Sequence, residues 1–345
     1  MLRGVADRIA VHARHAGPGE PTAPPPSGNR LRDVAVGLRD VARRRRTLLT
    51  IVGSLATLLV LALVLAGRRH EFTAALSQAG PGVLAVAAAL QIVALVACSE
   101  AWHLTIEAAG GTVARRILYR ASSMQVLGGV INGHLGVAAR IAALRRSSPA
   151  VSPQVATLVA AEFPIIAVEG ALAALTSFTL VGPLGLPWWL PVVGVVVIAA
   201  LSAGLRHLAL RTGRELWRGL AVLRSLRGGS RVIAFVLVAV VAQILRNWLL
   251  LHAVGVDASL LDAIAVLIAL VTLSQLRIGP SVGATAAVLI LGSDGVAAAA
   301  AAGVLLTATG TAGGLCFAAW AGADHAWSRL ADARAVRRLA GRQKR

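Results

Sequence analysis

The sequence predicts an all-α, polytopic membrane helix bundle with about six full spans plus two re-entrant helical hairpins arranged as inverted repeats. Three observations carry that expectation. Hydrophobic residues make up 57% of the 345-residue chain, mean hydropathy is +0.75, and only 14% of residues are charged, against about 25% in soluble domains. Long uncharged runs alternate with arginine-rich segments, as expected when cations collect on the cytoplasmic side of a membrane. Two further apolar stretches are interrupted by glycines. A broken helix is tolerated at membrane depth only where its freed backbone groups face protein or a wet cavity.

Residues 1–30 hold the proline-rich run Pro18 to Gly28 and read as a disordered cytoplasmic tail. Residues 31–46 place Leu31, Val34, Leu38 and Val41 at helical spacing among arginines. They read as a basic amphipathic juxtamembrane helix on an anionic lipid face, or else as a solvated linker. The membrane domain runs over 47–321. Its first span, Thr47 to Gly67, reaches about 31 Å at ~1.5 Å per residue. Further spans are expected near Val83 to Leu104, Pro153 to Val181, Trp188 to Leu205, Val232 to Val254 and Val296 to Ala321. Between the fourth and fifth, 206–231 carries Leu216, Trp217, Leu220 and Leu223 among arginines and reads as a surface helix or a basic loop. Residues 322–345 form a basic cytoplasmic tail. If the spans alternate as given, 30 of the 34 cations fall on one side, so both termini are expected in the cytoplasm. Trp102, Trp188, Trp189, Trp320 and Trp327 lie near span ends, as in an aromatic belt.

The broken stretches are 117–146 and 259–292. The first is interrupted around Asn132, Gly133 and Gly136, the second around Gly279, Pro280 and Gly283, residues that allow unusual backbone angles or remove a donor. Gln125 and Gln275 stand just before the two breaks. Gln91, Trp102 and Gly110 precede the first hairpin, and Gln243, Trp248 and Gly255 precede the second. The order span, hairpin, span therefore occurs twice, over about 82–181 and about 232–321. The charge count starts the two units on opposite sides, as inverted repeats require.

The net charge of +19 would suit nucleic acid, but the cations flank apolar spans. Membrane lipids and anionic head groups are the expected partners, and no nucleic acid. Cys98 and Cys316 sit in apolar runs and make neither a disulfide framework nor a metal pattern. There is no phosphate-binding loop, no His/Cys ligand spacing and no assembled Ser/His/Asp set. No cofactor, no metal and no enzymatic activity are expected. The start shows no cleavable signal peptide; the first span would direct insertion into a bacterial-type cell membrane.

Ionisable residues inside spans point to function and need named partners. Glu162 and Glu169 are seven residues apart and share a helical face. Glu169 and Arg246 lie at matching depths, so an intramembrane Glu169–Arg246 pair is expected, either as a packing pair or as part of a gate or head-group site. Glu162 has no evident partner; a cationic head group, a proton relay or the hairpin backbone are its alternatives. Arg140, one turn past the first break, reads with Arg145 and Arg146 as a lipid-phosphate site or as a set of topology-fixing cations. Arg140, Glu162, Glu169, Arg246, Gln125 and Gln275 are the candidate substrate-binding residues. Glu100 and His103 are expected to face the interface, and His134 to be a structural residue of the break.

The stretches "LGVAARIAALRRSSPAVSPQVATLVAAE" and "GPSVGATAAVLILGSDGVAAAAAAGVLLT" resemble the membrane region of lysylphosphatidylglycerol synthases, the flippase-like family of integral membrane proteins, over about residues 45–325. Gly136 and Arg140 match its Gly-Glu-x-x-Arg pattern, with Val137 at the acid. Glu162 matches its Glu-Arg pair, with Phe163 at the arginine. Pro280 and Gly283 fit its Pro-Gly-Gly-x-Gly-x-x-Glu pattern if one intervening residue is dropped, with Ala286 at the acid. Thr307 stands at a later arginine. No synthase domain is expected. The resemblance implies binding or translocation of an amphipathic lipid, a phospholipid or a polyprenyl-linked lipid. The alternatives are a non-transporting scaffold that recruits a partner enzyme and a membrane-embedded lipid-head-group transferase. Beside lipids, a partner enzyme or a second copy in a homo-oligomer is the expected protein partner.

Overall fold

A computed structural model describes residues 66–131, 133–147, 154–211, 215–275 and 282–343. The tail 1–30, the segment 31–46, nearly all of the first span, and Asn132, Gly279 and Pro280 lie outside the described residues. Among the described residues the fold is all-α with no strand. Five helical stretches are long and apolar enough to cross a bilayer: Pro81–Ala108, Val155–Leu184, Trp189–Arg211, Leu226–Ala253 and Gly295–Ser328. The chain is thus a multi-pass helical membrane bundle, and each of these five coincides with an expected span, most of them extended by several residues at one or both ends.

In chain order the elements are α1 (Arg69–Gln78), α2 (Pro81–Ala108), α3 (Arg115–Ile131), α4 (Gly133–Ser147), α5 (Val155–Ala160), α6 (Phe163–Thr176), a 3-10 turn at Ser177–Leu180, α7 (Val181–Leu184), α8 (Trp189–Arg211), a 3-10 segment at Glu215–Arg224, α9 (Leu226–Ala253), α10 (Leu260–Gln275) and α11 (Val282–Gln343). Local chemistry sets several ends. Pro81 opens α2 behind Gly80, where its missing N–H costs nothing. The Ser225 hydroxyl accepts from the Gly228 N–H and caps α9. Gly110 (φ 87) and Gly255 (φ 82) close α2 and α9 in the left-handed region. Behind each, a backbone N–H returns to the helix, Gly111 to the Ile106 carbonyl at 3.0 Å and Val256 to the Leu251 carbonyl at 3.1 Å.

The central contact is between α2 and α9, which run antiparallel. They meet through Ala94, Ala97, Ala239 and Ala242, small residues that let two backbones approach closely. Gln243 Nε2 donates to Gln91 Oε1 across the same contact at 3.1 Å. On one side of this waist, the C-terminal half of α2 (Ala101, Trp102, Ile106) joins the N-terminal half of α9 (Val232, Val236) with residues of α3, α4, α5 and α6. On the other side, Ala87 of α2 joins Leu250 and Leu251 of α9 with residues of α1, α10 and both parts of α11. The two broken stretches therefore pack at opposite ends of the α2–α9 pair.

A constant step of 145 residues relates the two halves. Pro81 and Leu226 open α2 and α9, and Ala108 and Ala253 close them, each helix having 28 residues. The same step relates Gly110 to Gly255, Ala94 to Ala239, Ala97 to Ala242, and Arg115 to Leu260 at the starts of α3 and α10.

The glycines act in packing more than in breaking. Gly136 lies inside α4, and a Cβ there would come 2.6 Å from the Gln125 carbonyl oxygen and 3.0 Å from the Gly129 nitrogen. This contact folds α4 back along α3. Gly283 likewise lies inside α11, not in a break. A Cβ on Gly283 or on Gly303 would overlap the backbone of the other. They meet because α11 reverses at Gly295 (φ 137, ψ 107), laying its short arm, Val282–Gly292, along its long arm. Sequence inspection places a hairpin turn near 279–283 and overlooks this second reversal, because the alanine-rich text on both sides of Gly295 reads as helix.

Gly136→Ala is expected to destabilise the bundle by about 1–3 kcal/mol, the usual cost of overpacking. Gly129→Ala, whose added Cβ meets nothing within 4 Å, is expected to be neutral or stabilising. Thermal unfolding of both variants in one detergent checks this; equal losses would mean that α3 and α4 do not pack through Gly136.

Candidate functional site

Pro164 shapes the site. It has no N–H, so the Ala160 carbonyl gets no bond from it and the ladder breaks between α5 and α6. Glu162 sits at that kink, its N–H bonded three residues back, to the Val159 carbonyl at 3.1 Å. The bend turns the carboxylate toward α4, where Arg140 lies one turn beyond Gly136. Arg140 Nη2 donates to Glu162 Oε1. The guanidinium also lies over the Trp102 ring of α2, 4.0 Å from its centroid, a stacked geometry that suits arginine better than lysine. Arg140 is 4% exposed. Its Nε has no partner among the described residues.

A cleft of about 800 Å³ opens between α4 and the α5–α6 kink. Val137, Ala138, Ile141 and Ala142 form one wall, and Val155, Val159, Phe163 and Ile166 the other. Glu162 reaches it from the kink, and Arg145 and Arg146 line its end toward the close of α4. The second wall is open to the surroundings: Ile166 is 56% exposed, and Val155, Val159 and Phe163 are also exposed. Such a wall suits acyl chains and not water. Chemically the cleft is amphipathic, with an acid in its depth, apolar sides and two cations at one end.

The predicted site residues divide into two groups. Arg140 and Glu162 are brought together, so Glu162 has a partner after all. Glu169, seven residues beyond Glu162 on α6, is exposed. The expected Glu169–Arg246 pair does not form. Arg246 faces Gln91 of α2, to whose Oε1 its Nη1 donates, and Gly310 of α11. Depth along two helices was matched, but the direction each face takes is set by packing. Arg145 and Arg146 are exposed at the cleft while Arg140 is buried behind it, so the three do not act as one cluster. Gln125 stays on α3 and does not line the cleft, and Gln275 is the last residue of α10.

Glu100 and His103 are buried, contrary to the expectation that they face the interface. The helix runs on to Ala108 and the chain folds back over it. Tyr119 donates to Glu100, Arg115 Nε stands 3.5 Å from it, and His103 Nε2 meets the Val113 carbonyl at 3.0 Å. At the same end Arg120 of α3 grips α11, donating to Asp324 Oδ2 at 2.7 Å and Ser328 Oγ at 3.0 Å. Of the residues sequence reading missed, Pro164 carries a signal, standing two positions after an intramembrane acid. Arg120 and Asp324, 204 residues apart, carry none.

Arg140→Ala strands a carboxylate that is largely withdrawn from water and is expected to cost about 3–5 kcal/mol. Arg140→Met combined with Glu162→Met is expected to recover most of that loss. A double-mutant cycle on thermal stability reads the coupling; additive losses would contradict the pair.

No family model matches this chain, and no curated protein or solved structure is significantly similar to it.

Proposed function

We propose that this protein binds an amphipathic lipid and carries it across the membrane, holding the head group in the cleft between α4 and the α5–α6 kink while the acyl chains leave over the exposed wall. The carrying observation is the cleft's composition: a buried arginine–glutamate pair at its base, apolar sides, and Arg145 and Arg146 at its end. Two arginines suit a phosphate through charge-assisted bonds, and Glu162 gives the depth an acid. A phospholipid or polyprenyl-linked lipid fits this order of groups. The 145-residue correspondence and the packing of the two broken stretches at opposite ends support an inverted-repeat arrangement, the layout in which alternating access is commonly built. The arginine count supports cytoplasmic termini and a cell-membrane location.

Reconstituted in liposomes with a labelled phospholipid, the protein is expected to scramble or flip it faster than protein-free vesicles. Val159→Trp, which fills the cleft, should lower the rate by at least an order of magnitude, and Glu162→Gln should change it measurably. Rates for Val159→Trp equal to those of the unaltered protein would remove the cleft from the pathway, and rates equal to empty vesicles throughout would remove transport altogether.

A further inference from the structure

Arg246 is a second buried guanidinium, 5% exposed, and it differs from Arg140 in one respect. No carboxylate stands within 4 Å of it among the described residues. Its Nη1 donates to Gln91 Oε1, an acceptor already shared with Gln243. Among the described residues its Nε has no partner. The next residue, Asn247, is fully buried, and neither its Oδ1 nor its Nδ2 has a partner among them. Opposite the guanidinium the long arm of α11 presents Gly310. A Cβ there would lie 3.2 Å from Nη1 and about 4 Å from Cζ and Nη2, so this side is covered by backbone and carries no side chain.

A buried cation without a counter-charge costs several kcal/mol, and buried donors are normally satisfied. A packing role would be served at lower cost by methionine or leucine. Arginine presents five N–H donors in a rigid fork, of which one bond is made here. Arg246 and Asn247 are neighbours and Gln243 lies one turn earlier, so a guanidinium and two side-chain amides come from one short stretch of α9. A fork of N–H donors with amides from the same stretch suits an anion with several outward oxygens better than a flat carboxylate.

We propose that Arg246, Asn247, Gln243 and Gln91 form an oxyanion site for a phosphate group, either the phosphodiester of a lipid head or free phosphate. The site lies across the Ala94/Ala97/Ala239/Ala242 waist from the Arg140 cleft, toward the C-terminal end of α9. It stands whether or not the cleft carries a lipid. If the cleft does, Arg246 is a second station for the same phosphate, beside the waist on the far side from the cleft.

The test uses the full chain, purified in a neutral detergent. Thermal unfolding is followed against sodium phosphate, with sodium chloride at matched ionic strength as reference, and again in nanodiscs of phosphatidylglycerol or of an uncharged glycolipid. The protein is expected to show a saturable rise in Tm with phosphate, with phosphatidylglycerol, or with both, and Arg246→Gln is expected to weaken that response at least tenfold. Arg206→Gln, at an exposed arginine of α8, should leave it unchanged. A response to inorganic phosphate identifies a free-anion site; a response to phosphatidylglycerol alone identifies a lipid head-group site. If Arg246→Gln fails to fold, Gly310→Val, which places a side chain against the guanidinium, carries the same comparison. No response to either phosphate source, or one that survives both variants, overturns the proposal. Loss of lipid flipping in Val159→Trp with the Arg246 response intact would separate the two sites.

Discussion

Everything in this bundle is arranged around the close antiparallel contact of α2 and α9. Four alanines bring the two backbones together, and a glutamine from each helix bonds across the contact. In a bilayer there is little hydrophobic drive between apolar helices, so van der Waals contact and interhelical hydrogen bonds hold them. Alanine supplies the first by being small. Gln91 and Gln243 supply the second. A larger residue at the waist would separate the helices and pull apart the two end clusters that each contain part of both.

From that waist the remaining parts divide by end. One end gathers α3 through α6, the other α1 and α10, and the long arm of α11 reaches both. Each end closes on itself through glycine. Gly136 lets α4 lie along α3, and Gly283 and Gly303 let the arms of α11 meet. These contacts use the absence of a side chain; among the described residues the backbone demands a positive φ at four other glycines, Gly110, Gly185, Gly255 and Gly295.

The two interior arginines show how differently one residue type is accommodated on the two sides of the waist. Arg140 is neutralised by Glu162 and stacked on Trp102, and its charge is largely spent within the protein. Arg246 meets only an amide oxygen. The difference follows from what each helix faces: α4 faces a span kinked at an acid by Pro164, while α9 faces alanines, glutamines and glycine.

The sequence by itself determined the helical membrane class, five of the spans and the presence of two broken stretches, because hydropathy and glycine are local properties read at one position. It also marked Arg140, Glu162, Glu169 and Arg246 as charges within apolar segments, and the structure buries the two arginines. Matching flanks such as Gly110 and Gly255 hinted at two related halves, yet the 145-residue step emerged only once helix ends were known to the residue. What the tertiary structure alone decided is pairing. Which acid meets which arginine depends on the rotation of each helix about its axis and on the kink at Pro164, and both are set by packing against helices distant in the chain. Depth can be counted along a sequence, whereas azimuth cannot, so Glu162 found Arg140 and Arg246 was left facing Gln91.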